Sequence, residues 1–437
     1  MLNLTDRHLL LQLLSLPTAG PLESGRADAR LPEALRLYAR ATGELGFEVL
    51  RLAPPDPAWV ERPDVPLPVR EAAADPEFLA CQPSLVLRLG PPAPLERTVM
   101  FNVHLDTVAG VQPVAFDPDR GLVHGRGAVD AKGPAVALLA GLRAALAERP
   151  GLASRVTVLV QAVAGEEGGA LGTIGTRPLV AAGHYGRLNV FCEPTGNRAL
   201  NRSTAAMTAR IRVAGEDAVD DRPAAGHNAT VLLGFLAQYL AGAVDPGEGQ
   251  LCVAGLHTGR LHNRVYGQGE LLLNLAYPDG ATAERLATAV ERALADGLRE
   301  FTARFAANPL FARTAADGAG ITSLEWLKRG LPALPPPADG WLSGLLESAG
   351  ISEQAAGEPA FTCDAIWLAD RPGTDTVILG PGTLDGNNAH AEGEFVRLTE
   401  LAEFARSVAD LLAAFDPGPV RIPRPTTAQE ARPAWQD

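Results

Sequence analysis

Cysteine is scarce: 437 residues contain four, at positions 81, 192, 252 and 363, with no Cys-x-x-Cys pair. That spacing argues against a disulfide framework and against a thiolate zinc site. It fits buried free thiols in a reducing cytoplasm. Basic residues are outnumbered 38 to 51, which leaves a formal net charge of −13. A polyanion partner needs a basic surface, so nucleic acid is not expected as a partner. No run of about 18 apolar residues occurs, so no membrane-spanning helix is expected either. The opening stretch MLNLTDRHLLLQLLSLPTAG lacks the basic start of a signal peptide. It reads instead as an amphipathic helix capped near Thr5 or Asp6 and stopped before Pro17. A cytoplasmic location follows as the expectation.

What remains is a chain with 46% hydrophobic and 20% charged residues, as expected of a globular protein with a real core. At about 150 residues per domain the length allows two or three domains. The first 200 residues alternate strand-like and helix-like segments. Strands are expected at 47–52, 84–90, 98–103, 155–164 and 188–192, and helices at 31–44, 133–148 and 169–182, with an irregular Pro-rich stretch from Pro54 to Pro83. That alternation argues for an α/β layered sheet. The middle differs. MTARIRVAG (207–215) alternates apolar and polar residues, so one face should be wet. A helix at 228–241, strands near 251–257 and 270–277 and a helix at 281–306 complete a smaller α+β unit. The α/β style returns with helix 339–349, strand 374–380 and helix 397–414. The expected organisation is one domain from 1–202 and 331–415, an inserted domain at 203–330, and a loose tail from 416 to 437.

Metal-ligand side chains fall where strands end. His104 follows VMFNV, Glu166 and Glu167 follow VTVLVQAVA by one glycine, and Glu193 follows LNVFC. Open α/β sheets collect ligands at the carboxyl ends of their strands. Imidazole with carboxylate suits zinc, and also cobalt or manganese. Asp106 lies two residues beyond His104. In an extended segment it would reach the far imidazole nitrogen and fix the tautomer; capping of the turn is the plainer alternative. Of the two adjacent glutamates, one can hold metal while the other serves as general base. GRGAVDAKG (125–133) lacks the Gly-Lys-Ser/Thr ending of a phosphate-binding Walker loop.

Five strings in order, HLDTV (104–108), GRGAVDAKG (125–133), EEGGALG (166–172), EPTG (193–196) and AHAEGEF (389–395), resemble the di-zinc aminoacylase and carboxypeptidase family. That family includes acetylornithine deacetylase, succinyl-diaminopimelate desuccinylase and bacterial glutamate carboxypeptidase. The resemblance covers most of residues 1–400. It implies a mixed sheet flanked by helices, with an inserted α+β lid that commonly makes a homodimer interface. It implies two divalent metal ions, with Asp130 bridging them, His104 and Glu193 completing one site, and Glu167 and His390 the other. It implies Glu166 as general base and then acid, Asp106 as the group that orients His104, and a cis Asp130–Ala131 peptide. Glu at 193 resembles the deacylase and carboxypeptidase branch. The implied reaction is hydrolysis of an amide in a small N-acyl amino acid or at a short peptide's C-terminal residue.

The lid departs from the pattern. Val219 stands where the family carries a histidine that reaches the partner's active site and stabilises an oxyanion. Asn274 and Ala276 alter the usual Asp-x-Arg strand, and FTCDAIW replaces a Gly- and Ser-rich loop, with Asp364 in it a candidate substrate-binding residue. Three accounts stand. One of His227, His257 and His262 substitutes for the missing imidazole; or the substrate is unusual; or hydrolysis is lost, leaving a non-hydrolytic metal enzyme or a binding protein. Arg260 and Arg264 are candidates for a substrate carboxylate, since guanidinium forks suit it, and Asn263 resembles a lid position that reaches substrate. Each also reads as ordinary surface.

Overall fold

The computed structural model describes residues 2–27 and 29–418. A six-stranded sheet forms its larger part, in the order Glu48–Ala53, Ser84–Leu89, Thr157–Val163, Thr98–His104, Leu188–Phe191, Asp375–Ile378. The last four of these run parallel; the first two are antiparallel to their neighbours. Every residue of Thr98–His104 and Thr157–Val163 is buried, as expected for central parallel strands covered on both faces. Each fully buried Val or Phe there contributes about 1.5–3 kcal/mol of transfer free energy. The helix Lys132–Glu148 packs on this sheet and against the helix Leu398–Phe415. The approach is close at Gly141, where a Cβ would sit 2.6 Å from the Ala405 carbonyl oxygen, and at Gly133, where it would lie 2.0 Å from that of Ala128. Glycine is required at both, and Gly133 sets the tight turn that carries Asp130.

A second sheet, ordered Gln250–His257, Gln268–Tyr277, Ala205–Ala214, Thr322–Lys328, is antiparallel throughout. Leu271, Leu273 and Leu275 bury one face with Met207, Ala209, Ile211 and Val213, under the helices Ala229–Ala243 and Gly280–Phe305. The other face is wet and carries Arg210, ion-paired to Glu325 at 2.7 Å. Its core is separate from that of the larger sheet.

Several elements differ from expectation. The first helix spans Leu4–Leu14 and is capped by Asn3, not by Thr5 or Asp6. Asp6 completes a reciprocal capping box with Asn3 instead,. The Pro-rich stretch holds helices Leu67–Ala72 and Pro76–Ala80, with proline in the first two positions of each; there proline starts a helix rather than breaking one. Only Thr176–Ala181 of the expected 169–182 helix is helical. Gly168, Gly169, Leu171 and Gly172 all take positive φ and turn the chain instead. Helix Ala312–Ile321 and strand Thr322–Lys328 were not anticipated. Cys192 and Cys363 are buried, but Cys252 is exposed. Asp416, where the tail was expected to begin, accepts two hydrogen bonds from Arg155; the tail from 419 onward lies outside the described residues. Among those described, no helix is long and apolar enough to cross a membrane.

Candidate metal centre

Three neighbouring parallel strands, Thr157–Val163, Thr98–His104 and Leu188–Phe191, end at one edge of the sheet. Their continuations supply Glu166 and Glu167, His104, and Glu193. The fourth, Asp375–Ile378, leads into the loop of His390, and Asp130 sits just before the helix Lys132–Glu148. The Asp130–Ala131 peptide is cis.

The side chains converge on Asp130. Its Oδ1 lies 2.8 Å from His104 Nε2 and its Oδ2 3.0 Å from His390 Nε2. His390 Nε2 is also 3.1 Å from Glu167 Oε1, and His104 Nε2 is 3.8 Å from Glu193 Oε2. Asp130 therefore joins two imidazole–carboxylate pairs, one through each oxygen. Ligand atoms of His104, Asp130 and Glu167 all lie within 4.8 Å of one another. The His104, Asp130, Glu167 and Glu193 side chains are at most 8% exposed, whereas that of His390 is 49% exposed. Buried acids packed this closely need protons or cations, and two imidazoles with three carboxylates fit two divalent ions.

Protonation in the metal-free cage reflects this crowding. Burial pushes Glu167 and Glu193 up to about 7 each. Burial and then the Glu167 charge push Glu166 well above the usual carboxylate range. Burial opposes ionisation of Asp130 too, but hydrogen bonds from both imidazoles hold it well below that range. Hydrogen bonds to Asp130 and Glu167 lift His390 to about 11. A carboxyl whose folded pKa is raised stabilises the fold fully below its unfolded value, near 4.5, and loses that contribution as pH rises through the folded value. For Glu167 and Glu193 the loss falls between about 4.5 and 7. Cation binding runs the other way, because ligands must be deprotonated. The rise in Tm on adding Zn2+ to chelator-treated protein should therefore grow from pH 5 to pH 8. Thermal melts with and without Zn2+ read this directly, and an increment that is flat or shrinks with pH would remove these carboxylates from the ligand set.

Asp106 departs from expectation. The far nitrogen of His104 donates to the Asp106 main-chain oxygen at 2.9 Å, while the nearest carboxylate oxygen is 3.8 Å away. The strand ends at His104, so the extended geometry that would align residues 104 and 106 is lost. With Nδ1 held by that carbonyl, Nε2 is the nitrogen that faces Asp130 and would be the one to meet a metal,. The Asp106 carboxylate instead accepts from the Glu167 backbone N–H at 3.1 Å and so steadies the double-glutamate turn.

Glu394 and Thr176 are supports that the sequence reading does not name, and Asp364, a substrate-binding candidate there, is fully buried against Thr176. Glu394, 1% exposed, accepts from the backbone N–H groups of Val129 and Asp130 at 3.1 and 3.3 Å and from Arg126 at 2.7 Å. Its position inside the AHAEGEF string was the available signal. Thr176 donates to Asp364 and accepts from Asn102 at 3.0 Å. Asp364 is fully buried, pushed up to about 6 by that burial, and close enough to His104 for their charges to interact.

The lid candidates stay away from the cage. His227 is buried, accepting from the Glu216 backbone N–H at 2.9 Å and lying 3.1 Å from Asp317, so it braces its own domain. His257, Arg260, His262, Asn263 and Arg264 are exposed. Among the described residues, none of the six shares a hydrogen bond or ion pair with a cage residue.

A family model for peptidases of families M20, M25 and M40 matches residues 100–414. The chain belongs to this M20/M25/M40 peptidase family. It is a metallohydrolase by that membership. No curated protein matches the sequence. Among solved structures, the M20 chain resembles the aminopeptidase PepT of Bacillus cereus at 16% identity and a TM-score of 0.64, over 94% of this chain and 98% of that one. Human carnosine dipeptidase 1 gives 14% and 0.62, over 94% and 97%. The YXEP protein of Bacillus subtilis, a dinuclear metal-binding peptidase of family M20, gives 12% and 0.57, over 93% and 96%. Identities this low establish a common fold, the α/β layer with its second, smaller sheet.

Proposed function

We propose that this M20 chain hydrolyses an amide bond in a small N-acyl amino acid or at the C-terminal residue of a short peptide, with two divalent ions, Zn2+ before Co2+ or Mn2+. The observation that carries the reading is Asp130, whose two oxygens face different imidazoles at 2.8 and 3.0 Å. When bound, two such ions supply Lewis acidity and lower the pKa of water. His104, Glu193 and Asp130 would hold one, and His390, Glu167 and Asp130 the other. Glu166 is left over. Its carboxylate makes no hydrogen bond among the described residues, and it is free to take a proton from the attacking water and return it to the leaving amine nitrogen.

The missing lid histidine has a neighbour that bears on this reading. Val219 is the register partner of Arg264 in a short antiparallel ribbon. Directly opposed residues project to the same side, about 4.5–5.5 Å apart at Cβ. Both are open to solvent, Val219 at 58% and the Arg264 side chain at 55%. In a homodimer formed through the lid, Arg264 supplies the oxyanion donor that Val219 cannot. Arg264→Ala should then lower kcat by about 10²-fold with a smaller change in KM, as for loss of one oxyanion donor, and Arg264→Lys should recover part of it. An unchanged kcat would leave the lid ribbon without a chemical part.

Metal analysis with a panel of N-acyl amino acids and short peptides tests the main reading. Two bound ions with cleavage of at least one amide supports it. Two ions with no cleavage across the panel supports the second reading that Val219 favours, a non-hydrolytic reaction on the same cage. No bound metal would support a binding protein.

A further inference from the structure

Lys328, the last residue of the strand Thr322–Lys328, is out of step with the rest of it. The ladder to Ala205–Ala214 runs regularly from the pair Thr322 and Val213 to the pair Trp326 and Ala209, then slips, so that Lys328 rather than Leu327 stands opposite Thr208. In unbroken register Lys328 would stand opposite Met207, on the side packed under the helices Ala229–Ala243 and Gly280–Phe305. A bulge of this kind re-aims a side chain. Directly opposed residues project to the same side. Lys328 therefore joins Thr208, and Asn274 beyond it, on the face that carries Arg210 and Glu325.

That face is wet along Arg210, yet Lys328 is only 9% exposed. This end of the sheet abuts the double-glutamate turn. Leu171 packs into the second sheet's core, and its N–H donates to the Glu166 main-chain oxygen at 3.1 Å. The helix Leu67–Ala72 lies against the strand of Lys328. Of the acids around the cage, Glu166 is the one whose charge acts on Lys328. Burial lowers the ammonium pKa to about 8 and the Glu166 charge opposes the drop, so the group is charged at neutral pH. Among the described residues it makes no side-chain hydrogen bond and no ion pair, and its nitrogen is not sealed from solvent. Lysine is almost never buried unless paired. A buried charge left alone costs free energy that an anion beside it would offset.

We propose that Lys328 receives the free α-carboxylate of the amino acid that leaves when the amide is cut, and so determines specificity on the amine side of the bond. The inference rests on the hydrolytic reading above. Glu166 hands its proton to the leaving nitrogen, and the carbon next to that nitrogen bears the carboxylate. A cation on the Glu166 side of the cage is therefore met by the carboxylate, whereas the acyl group lies beyond the reacting carbon. An ammonium is a compact charge with several rotatable donors, all of them uncommitted here.

The experiment is steady-state kinetics on the metal-loaded, full-length protein with a panel of N-acetyl-L-amino acids and the matching carboxamides, which lack only the charge at issue. Wild type should favour the acid over the carboxamide at least about tenfold in kcat/KM, the scale of a hydrogen bond to a charged group. Lys328→Met keeps the length and removes the charge. It should raise KM for the acid about 10–100-fold with kcat little changed, and most of the preference should vanish. Lys328→Arg should recover part of it. Tm should not fall in Lys328→Met, because the substitution removes a buried charge that has no partner. An equal loss on acid and carboxamide would mean that Lys328 acts through Glu166, and would overturn the proposal. So would a preference for the acid that survives Lys328→Met, the mark of a carboxylate held by metal or by another cation. Should nothing in the panel be cleaved, the hydrolytic reading fails by itself, and calorimetric titration of the same proteins with the N-acetyl-L-amino acids decides this one. Binding about tenfold weaker in Lys328→Met supports it; equal binding, or none, overturns it.

Discussion

Replacing Glu166 by Gln should leave both cations bound and cut kcat by about 10²–10⁴-fold, the usual contribution of a positioned proton carrier. The substitution is isosteric and touches no ligand contact. Glu167, one residue on, keeps its 3.1 Å approach to His390, and the Asp106 carboxylate keeps the Glu167 N–H. What is lost is an acid at this edge that has neither a hydrogen-bond nor an ion-pair partner among the described residues, in a setting where burial and the Glu167 charge favour its protonated form. A group that holds a proton well between receiving and returning it suits both halves of an amide hydrolysis. Metal content by mass spectrometry and steady-state kinetics on one cleaved substrate make the measurement. A kcat within about tenfold of wild type, with both ions present, would pass the proton to another group.

Asp130→Ala should remove both ions and take activity to background, whereas Glu193→Ala should remove one. The contrast follows from the geometry. Asp130 presents a separate oxygen to each imidazole, and Glu193 approaches only His104. Loss of the shared ligand also strips each imidazole of its closest carboxylate partner, so the deficit exceeds that of a terminal ligand. Comparing each variant with chelator-treated wild type separates lost metal from lost fold. If Asp130→Ala still binds two equivalents at wild-type affinity, Asp130 is not shared between them.

The legible part of this molecule is the part that repeats a rule. Three strands that end in ionisable residues needed only apolar runs and the next few letters, and their adjacency in the sheet followed from the α/β pattern. What escaped was set by contacts distant in sequence or by the exact point where an element stops. Asp106 looked like the partner of His104 because an extended chain was assumed for two residues longer than it lasts. Glu394 holds the loop of Asp130 from 264 residues away, a pairing no local pattern carries. Arg264 stands opposite Val219 across 45 residues of lid, so the vacancy was visible and its neighbour was not. The stretch from Pro54 to Pro83 reads as irregular, yet Pro68 and Pro76 each sit in the first turn of a helix, where proline is tolerated.

The order of the ligands along the polypeptide imposes a schedule on biosynthesis. Glu193 follows His104 by about 90 residues, and His390 follows Glu193 by about 200 more, after the whole of the second sheet. At roughly 5–20 residues per second that interval is about 10–40 s. If the proposed assignment holds, the ligands of the first ion are all synthesised well before the last ligand of the second, and a chain that ends within the lid would lack His390.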